Sequence, residues 1–175
     1  MAWTTPKDWE TDELVTAGDL NTHVRDNLAA LKNPPSAHFE ANESANYTTT
    51  SASFADVDAT AGKCSLTITT SGGDVLVHFH GTVEHSAGGI GIHFDVYVDS
   101  GDIGGNDGIV RVRSANAADA MCVSFTRLIA GLSAGSHTFK LRWKLSTASG
   151  TGTLFAGAGT SNKDLHPQFW VREVS

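Results

Sequence analysis

The stretch Val75-Leu-Val-His-Phe-His-Gly-Thr-Val-Glu84, followed after His85-Ser-Ala-Gly-Gly89 by Ile90-Gly-Ile-His-Phe-Asp-Val-Tyr-Val98, decides the fold. In the first arm Val75, Val77, Phe79 and Val83 alternate with His78, His80, Thr82 and Glu84. In the second, Ile90, Ile92, Phe94, Val96 and Val98 alternate with His93, Asp95 and Tyr97. Period two is the mark of a β-strand with one buried face. The short Gly-containing connection makes the two arms read as an antiparallel hairpin. A lone hairpin is marginal in water, so its apolar face requires a second sheet to cover it.

Outward from this pair, further strand candidates lie at Ser53–Ala59, Ser65–Thr70, Ile109–Arg113, Met121–Ile129, His137–Leu145, Thr153–Ala158 and Gln168–Val174, with glycine-bearing turns between them. Along His137–Leu145 the apolar side is Phe139, Leu141, Trp143 and Leu145, and the polar side is Thr138, Lys140, Arg142 and Lys144. Short strands with this punctuation predict an all-β sandwich, jelly roll first and immunoglobulin-like second. The Cys-Trp-Cys order of immunoglobulin domains is missing, because Trp143 follows both cysteines. The sandwich is expected over 53–175, with a Ser- and Thr-rich linker over 36–52.

The front of the chain, residues 1–35, is of another kind. Trp3 and Trp9 stand in a polar, proline-containing segment that cannot build a core. It reads either as a disordered end or as a segment whose indoles dock on another surface. Thr16, with Asp19 three residues on, can cap a helix. Ala17, Leu20, Val24, Leu28 and Leu31 then fall in a stripe about 80° wide, nearer a coiled-coil seam than the broad face of a core helix. Asn33-Pro34-Pro35 ends it. A helix this short is barely stable by itself and needs copies of itself or a neighbouring protein.

Composition narrows the function. The 175 residues carry a net charge of -7, which disfavours nucleic-acid binding, since phosphates call for a surplus of Lys and Arg. No run is long and apolar enough for membrane insertion, and the opening lacks the basic and apolar regions of a secretion signal. Cys64 and Cys122 form no metal-type pair and are expected as buried free thiols rather than a disulfide. No nucleophile elbow, phosphate loop or dinucleotide fingerprint is present, so no enzyme and no cofactor are expected.

Three polar groupings merit weighing. With paired hairpin positions summing to about 173, His80 would face His93 and His78 would face Asp95, which would let His78, His80 and His93 share a divalent ion. Histidines on a strand face are more commonly plain polar surface. Asp99, Asp102 and Asp107 bracket a glycine-rich loop that could offer oxygen ligands to calcium, though the spacing is not an EF-hand and an exposed acidic loop is the simpler reading. Lys140, Arg142 and Lys144 form a basic row, expected as a solvated or salt-bridged face.

Two stretches carry a resemblance. Trp3-Thr-Thr-Pro6, Trp9, Glu13, Val15-Thr-Ala17 and Asp19-Leu-Asn-Thr-His23, running into Arg25-Asp-Asn-Leu28 and Leu31-Lys-Asn-Pro34, resemble the start of many phage and prophage virion proteins. Gly73-Asp-Val-Leu-Val77, Phe79-His-Gly81, Gly135-Ser-His-Thr-Phe139, Gly157-Ala-Gly159 and His166-Pro-Gln-Phe-Trp-Val-Arg-Glu-Val174 resemble the β-domain that often follows, itself similar to the jelly-roll heads of complement-type and tumour-necrosis-factor-like proteins. The resemblance implies a bacteriophage virion structural protein, made in the bacterial host cytoplasm and reaching its place in a tail fibre, tail tip or head fibre as a homotrimer. Its partners would be copies of itself and other phage virion proteins, with residues 1–35 as the attachment segment. The alternative is a carbohydrate-binding or host-receptor-binding module whose loops recognise a host surface glycan. A polysaccharide depolymerase fragment is a third, disfavoured by the lack of any internal repeat.

Overall fold

A computed structural model describes residues 4–174. Trp3 lies outside the described residues. The chain folds as two stacked antiparallel sheets preceded by a helical segment. Thr16 caps the helix as its sequence predicts: its hydroxyl accepts the Asp19 N–H at 3.2 Å, and Asp19 Oδ2 accepts the Thr16 N–H at 3.1 Å. The helix runs as α1 (Ala17–Leu20), a π-helical turn (Asn21–Arg25) and α2 (Asp26–Lys32), and stops at Asn33 before the two prolines.

The strands are β1 (Ser36–Glu40), β2 (Tyr47–Thr49), β3 (Ala55–Asp56), β4 (Ser65–Thr70), β5 (Gly73–His85), β6 (Gly91–Val98), β7 (Gly101–Asp102), β8 (Val110–Arg113), β9 (Met121–Leu132), β10 (Gly135–Leu145), β11 (Gly152–Leu154) and β12 (Gln168–Glu173). The first sheet has the order β1-β12-β5-β9, with β11 continuing along β5 and β2 beside β11. The second has the order β4-β10-β6-β8, extended by β3 and β7. Alternation of sequential strands between the two layers in this order is that of an eight-stranded jelly roll. Every strand expected from the sequence is present.

Two expectations are corrected. First, β5 and β6 are not a hairpin: β5 pairs with β12, β11 and β9, whereas β6 pairs with β10, β7 and β8 in the opposite sheet. Their apolar faces meet across the sandwich, with Phe79 and Phe94 ring centroids 5.1 Å apart. The connection between them crosses layers because it packs on the segment after β8. The Gly89 N–H donates to Ser114 O at 2.8 Å, and a Cβ on Gly88 would come within 2.1 Å of Ala115 O. These glycines permit a close backbone approach rather than a tight turn.

Second, the segment 36–52 is not a linker. Its residues Ser36–Glu40 pair along β12, from Ser36 opposite Arg172 to Glu40 opposite Gln168, and Tyr47–Thr49 pair with β11. Polar composition misled because β1 is an edge strand with alternate residues facing solvent.

The core lies between the layers. Val75, Val77, Phe79, Val83, Phe169 and Val171 face Ile92, Phe94, Val96, Phe139, Leu141 and Trp143, all buried. Cys64 is a buried free thiol, and burial pushes its pKa well up. Cys122 is also free but exposed, contrary to expectation, because it pairs with Thr82 on the outward side of the first sheet.

Candidate interaction surface

The two outer faces of the sandwich differ. On the second sheet the expected polar row of β6 is roofed by the chain itself. The segment after β7 lies over it: the Gly104 N–H donates to Asp95 Oδ1 at 2.8 Å, and His93 Nδ1 donates to Asp107 O at 2.9 Å. His93 and Asp95 are both buried. Burial pushes the Asp95 carboxyl above the usual carboxylate range, against the bonds from the Val96 and Gly104 N–H groups. The basic row beside it is salt-bridged. Arg142 Nη1 donates to both Asp102 oxygens at 2.8 Å, and its Nη2 donates to Phe54 O at 2.6 Å. Lys140 Nζ lies 3.2 Å from Asp56, and Lys144 Nζ sits 4.7 Å over the Phe54 ring.

This arrangement disperses two of the groupings seen in the sequence. His93 belongs to the second sheet, so the pairing that would join it to His78 and His80 does not form. Asp99 accepts from His137, Asp102 pairs with Arg142, and Asp107 offers its backbone carbonyl to His93. Among the described residues, no three His, Cys, Asp or Glu side chains gather as a metal-ion cluster.

The first sheet has a bare outer face. Opposed positions place His38, Trp170, His78 and Thr126 in one row across β1, β12, β5 and β9. Glu40, Gln168, His80 and Ser124 form the next. Leu76, Arg172 and Leu128 make a third, with Leu128 exposed. The His78 ring stacks on Trp170 at 5.1 Å between centroids and 26° between planes.

The helix joins this face at one end. Leu20, Val24, Leu28 and Leu31 are exposed at 50%, 46%, 61% and 64%, and Ala17 is exposed as well. The segment ahead of the helix is fastened to it. Asn27 is buried and bonds Thr4 twice, accepting its N–H at 2.9 Å and donating to its carbonyl at 2.8 Å. Trp9 lies edge-on to His23 at 6.3 Å between centroids, with Lys7 Nζ 4.8 Å from its own ring centroid. Lys7 also pairs with Glu13. A groove of about 540 Å³ runs between helix and sheet, lined by Leu31, Pro34, Pro35, Leu76, Trp170 and Val174 among others. Through Leu31 the helical seam thus shares one groove with Leu76 and Trp170 of the sheet face. Sequence reading found the seam from its spacing. It had no signal for which sheet face stays bare, because that depends on where the Gly101–Ile109 segment folds.

No protein-family model and no curated protein matches this sequence. Among solved structures the chain is similar to Eiger TNF from S. frugiperda, at 16% identity over 82% of this chain and 95% of that one, with a TM-score of 0.44. It is similar to the infectious bursal disease virus VP2 subviral particle at 11% identity, covering 82% of this chain and 38% of that one, with a TM-score of 0.41. It is also similar to a pentameric capsid protein isolated from metagenomic phage sequences, at 14% identity over 94% of this chain and 79% of that one, with a TM-score of 0.31. At these scores the likenesses assign no role, and the jelly roll stands on the strand order described above.

Proposed function

We propose that this chain is a non-enzymatic structural component of a phage virion, assembling as a homotrimer and fastened to other virion proteins by residues 1–35. The observation that carries the reading is the exposed apolar seam Leu20, Val24, Leu28 and Leu31, whose last residue shares a groove with Leu76 and Trp170 of the first sheet. A short helix with an unpartnered apolar stripe gains stability by packing on copies of itself, and closed symmetry buries the stripe and the sheet face together. The opposite sheet offers no comparable surface, being roofed by its own chain and tied by ion pairs.

The phage assignment draws on the resemblance of the opening segment to virion proteins. The non-enzymatic part of the reading is supported by how two of the polar side chains are engaged. His137 uses both ring nitrogens in bonds to Asp99 and Ser133, and Arg142 is held by two aspartates.

Light scattering on gel-filtered protein tests the assembly. A mass three times the 18.4 kDa chain at micromolar concentration is expected, and a monomer mass overturns the trimer. Co-purification with phage particles tests the virion role. Binding on a glycan array without particle association would favour a receptor-binding module instead.

A further inference from the structure

His78 and His80 stand two residues apart on β5, so both project from the bare face of the first sheet. Their ring centroids lie 5.7 Å apart. Two imidazoles on one tetrahedral zinc, each bound through nitrogen at about 2.0 Å, bring their centroids to about 5 Å. The observed centroid spacing is close to that value.

The His78 ring is already held in place from two sides. Thr126 Oγ1 lies 2.8 Å from Nδ1, and Trp170 stacks against the ring plane at 5.1 Å. When Nδ1–H is the donor in this pair, Nε2 is left with a free lone pair, the arrangement common in metal-bound histidine. The His80 ring, by contrast, makes no hydrogen bond with another described residue.

We infer that His78 and His80 form a two-imidazole site for a divalent transition ion such as zinc, with His78 binding through Nε2 while its Nδ1–H donates to Thr126. Water completes the coordination in the isolated chain, since no third protein ligand is close enough to make a cluster among the described residues. One chain supplies both ligands, and because the proposed trimer would bury this face, the site belongs to the dissociated chain.

Zinc chloride titrated by calorimetry into the full-length protein carrying Val24→Asp and Leu28→Asp, which leaves the sheet face open by preventing association, with the histidine ring signals followed by NMR, is the test. One zinc per chain is expected, with shifts confined to the His78 and His80 rings. His78→Ala and His80→Ala should each abolish the heat. Thr126→Val should weaken binding about tenfold by removing the bond that orients His78. His38→Ala, on the same face but beyond Trp170, should bind as the parent does. Thermal melts of each variant separate loss of the ligand from loss of the fold, and light scattering on the same samples keeps self-association apart from metal binding. No heat and no ring shifts up to millimolar zinc would overturn the site. So would undiminished binding in the His78→Ala, His80→Ala double variant.

Discussion

His137 Nδ1 lies 2.6 Å from Asp99 Oδ2, and His137 Nε2 lies 2.8 Å from Ser133 O, so both ring nitrogens face atoms that can only accept. Donation from both nitrogens favours the protonated ring, and the two bonds tie the β6–β7 turn to the β9–β10 turn. The bond to Asp99, then that to the Ser133 carbonyl, holds its pKa above the ordinary histidine value. Burial pushes the Asp99 carboxyl up, but the bonds from His137 and the Thr138 N–H outweigh it and leave it below the usual range.

The sign of the pH dependence follows. The raised His137 pKa gives stability that is fully present below the unfolded value of about 6.5 and lost as pH rises through the folded value. The lowered Asp99 pKa gives stability present above about 3.9 and lost as pH falls through its folded value. Urea midpoints should therefore decline from mildly acidic to alkaline pH. Asp99→Asn, at a position with φ of 49° that asparagine tolerates, should flatten that decline. An unchanged slope in the variant would show that His137 is not the titrating group.

Trp143 is 1% exposed and its ring lies 6.0 Å from that of Phe94. Trp143→Ala should cost about 3–5 kcal/mol, because removing a buried aromatic leaves a cavity that the neighbouring strands cannot close. Chemical denaturation would register this as a large fall in midpoint.

Gly108 has φ of 75°, and a Cβ there would sit 2.5 Å from Phe94 O and 2.8 Å from Phe54 Cζ. Gly108→Ala should lift the segment over β6 and uncover His93 and Asp95, at a cost of about 1–3 kcal/mol from strain and lost burial. Faster amide exchange confined to β6, β8 and that segment would be the signature.

Truncation should place the start of the sandwich at β1. A chain of residues 34–175 is expected to melt cooperatively near the full-length midpoint. A chain of residues 46–175 should melt lower, since removal of β1 leaves β12 paired only to β5 and bares its other edge along Gln168–Arg172. Equal midpoints for the two would show that β1 is dispensable.

The attachment segment should separate from folding. Val24 and Leu28 are exposed in the single chain, so changing both to Asp should alter sandwich stability by less than about 0.5 kcal/mol each while abolishing self-association and particle incorporation. Trp3→Ala with Trp9→Ala should reduce incorporation less severely. Wild-type incorporation of both variants would leave residues 1–35 without a role in anchoring.

The strands were legible because burying one face of a sheet imposes period two, and Val75, Val77 and Phe79 obey it. Pairing was not legible, for the same pattern arises whether two strands lie side by side or face each other across a core. Val75–Phe79 and Ile92–Val96 do the latter. The helix could be read to its capping residues, since Thr16, Asp19 and the prolines act locally. His93 and Asp95 escaped because their polarity suggests solvent, while their burial comes from backbone groups of a segment that follows later in the chain. For the interaction surface, the helical seam was visible in spacing alone. Its union with Leu76 and Trp170 required the third dimension.

The placement of the two cysteines gives the molecule a built-in reporter. Cys64 is sealed in the core, and Cys122 opens onto the bare sheet face. A maleimide dye should therefore label a dispersed chain once, at Cys122. Association through that face would shield the thiol, so labelling yield against protein concentration would trace the assembly curve without an engineered tag.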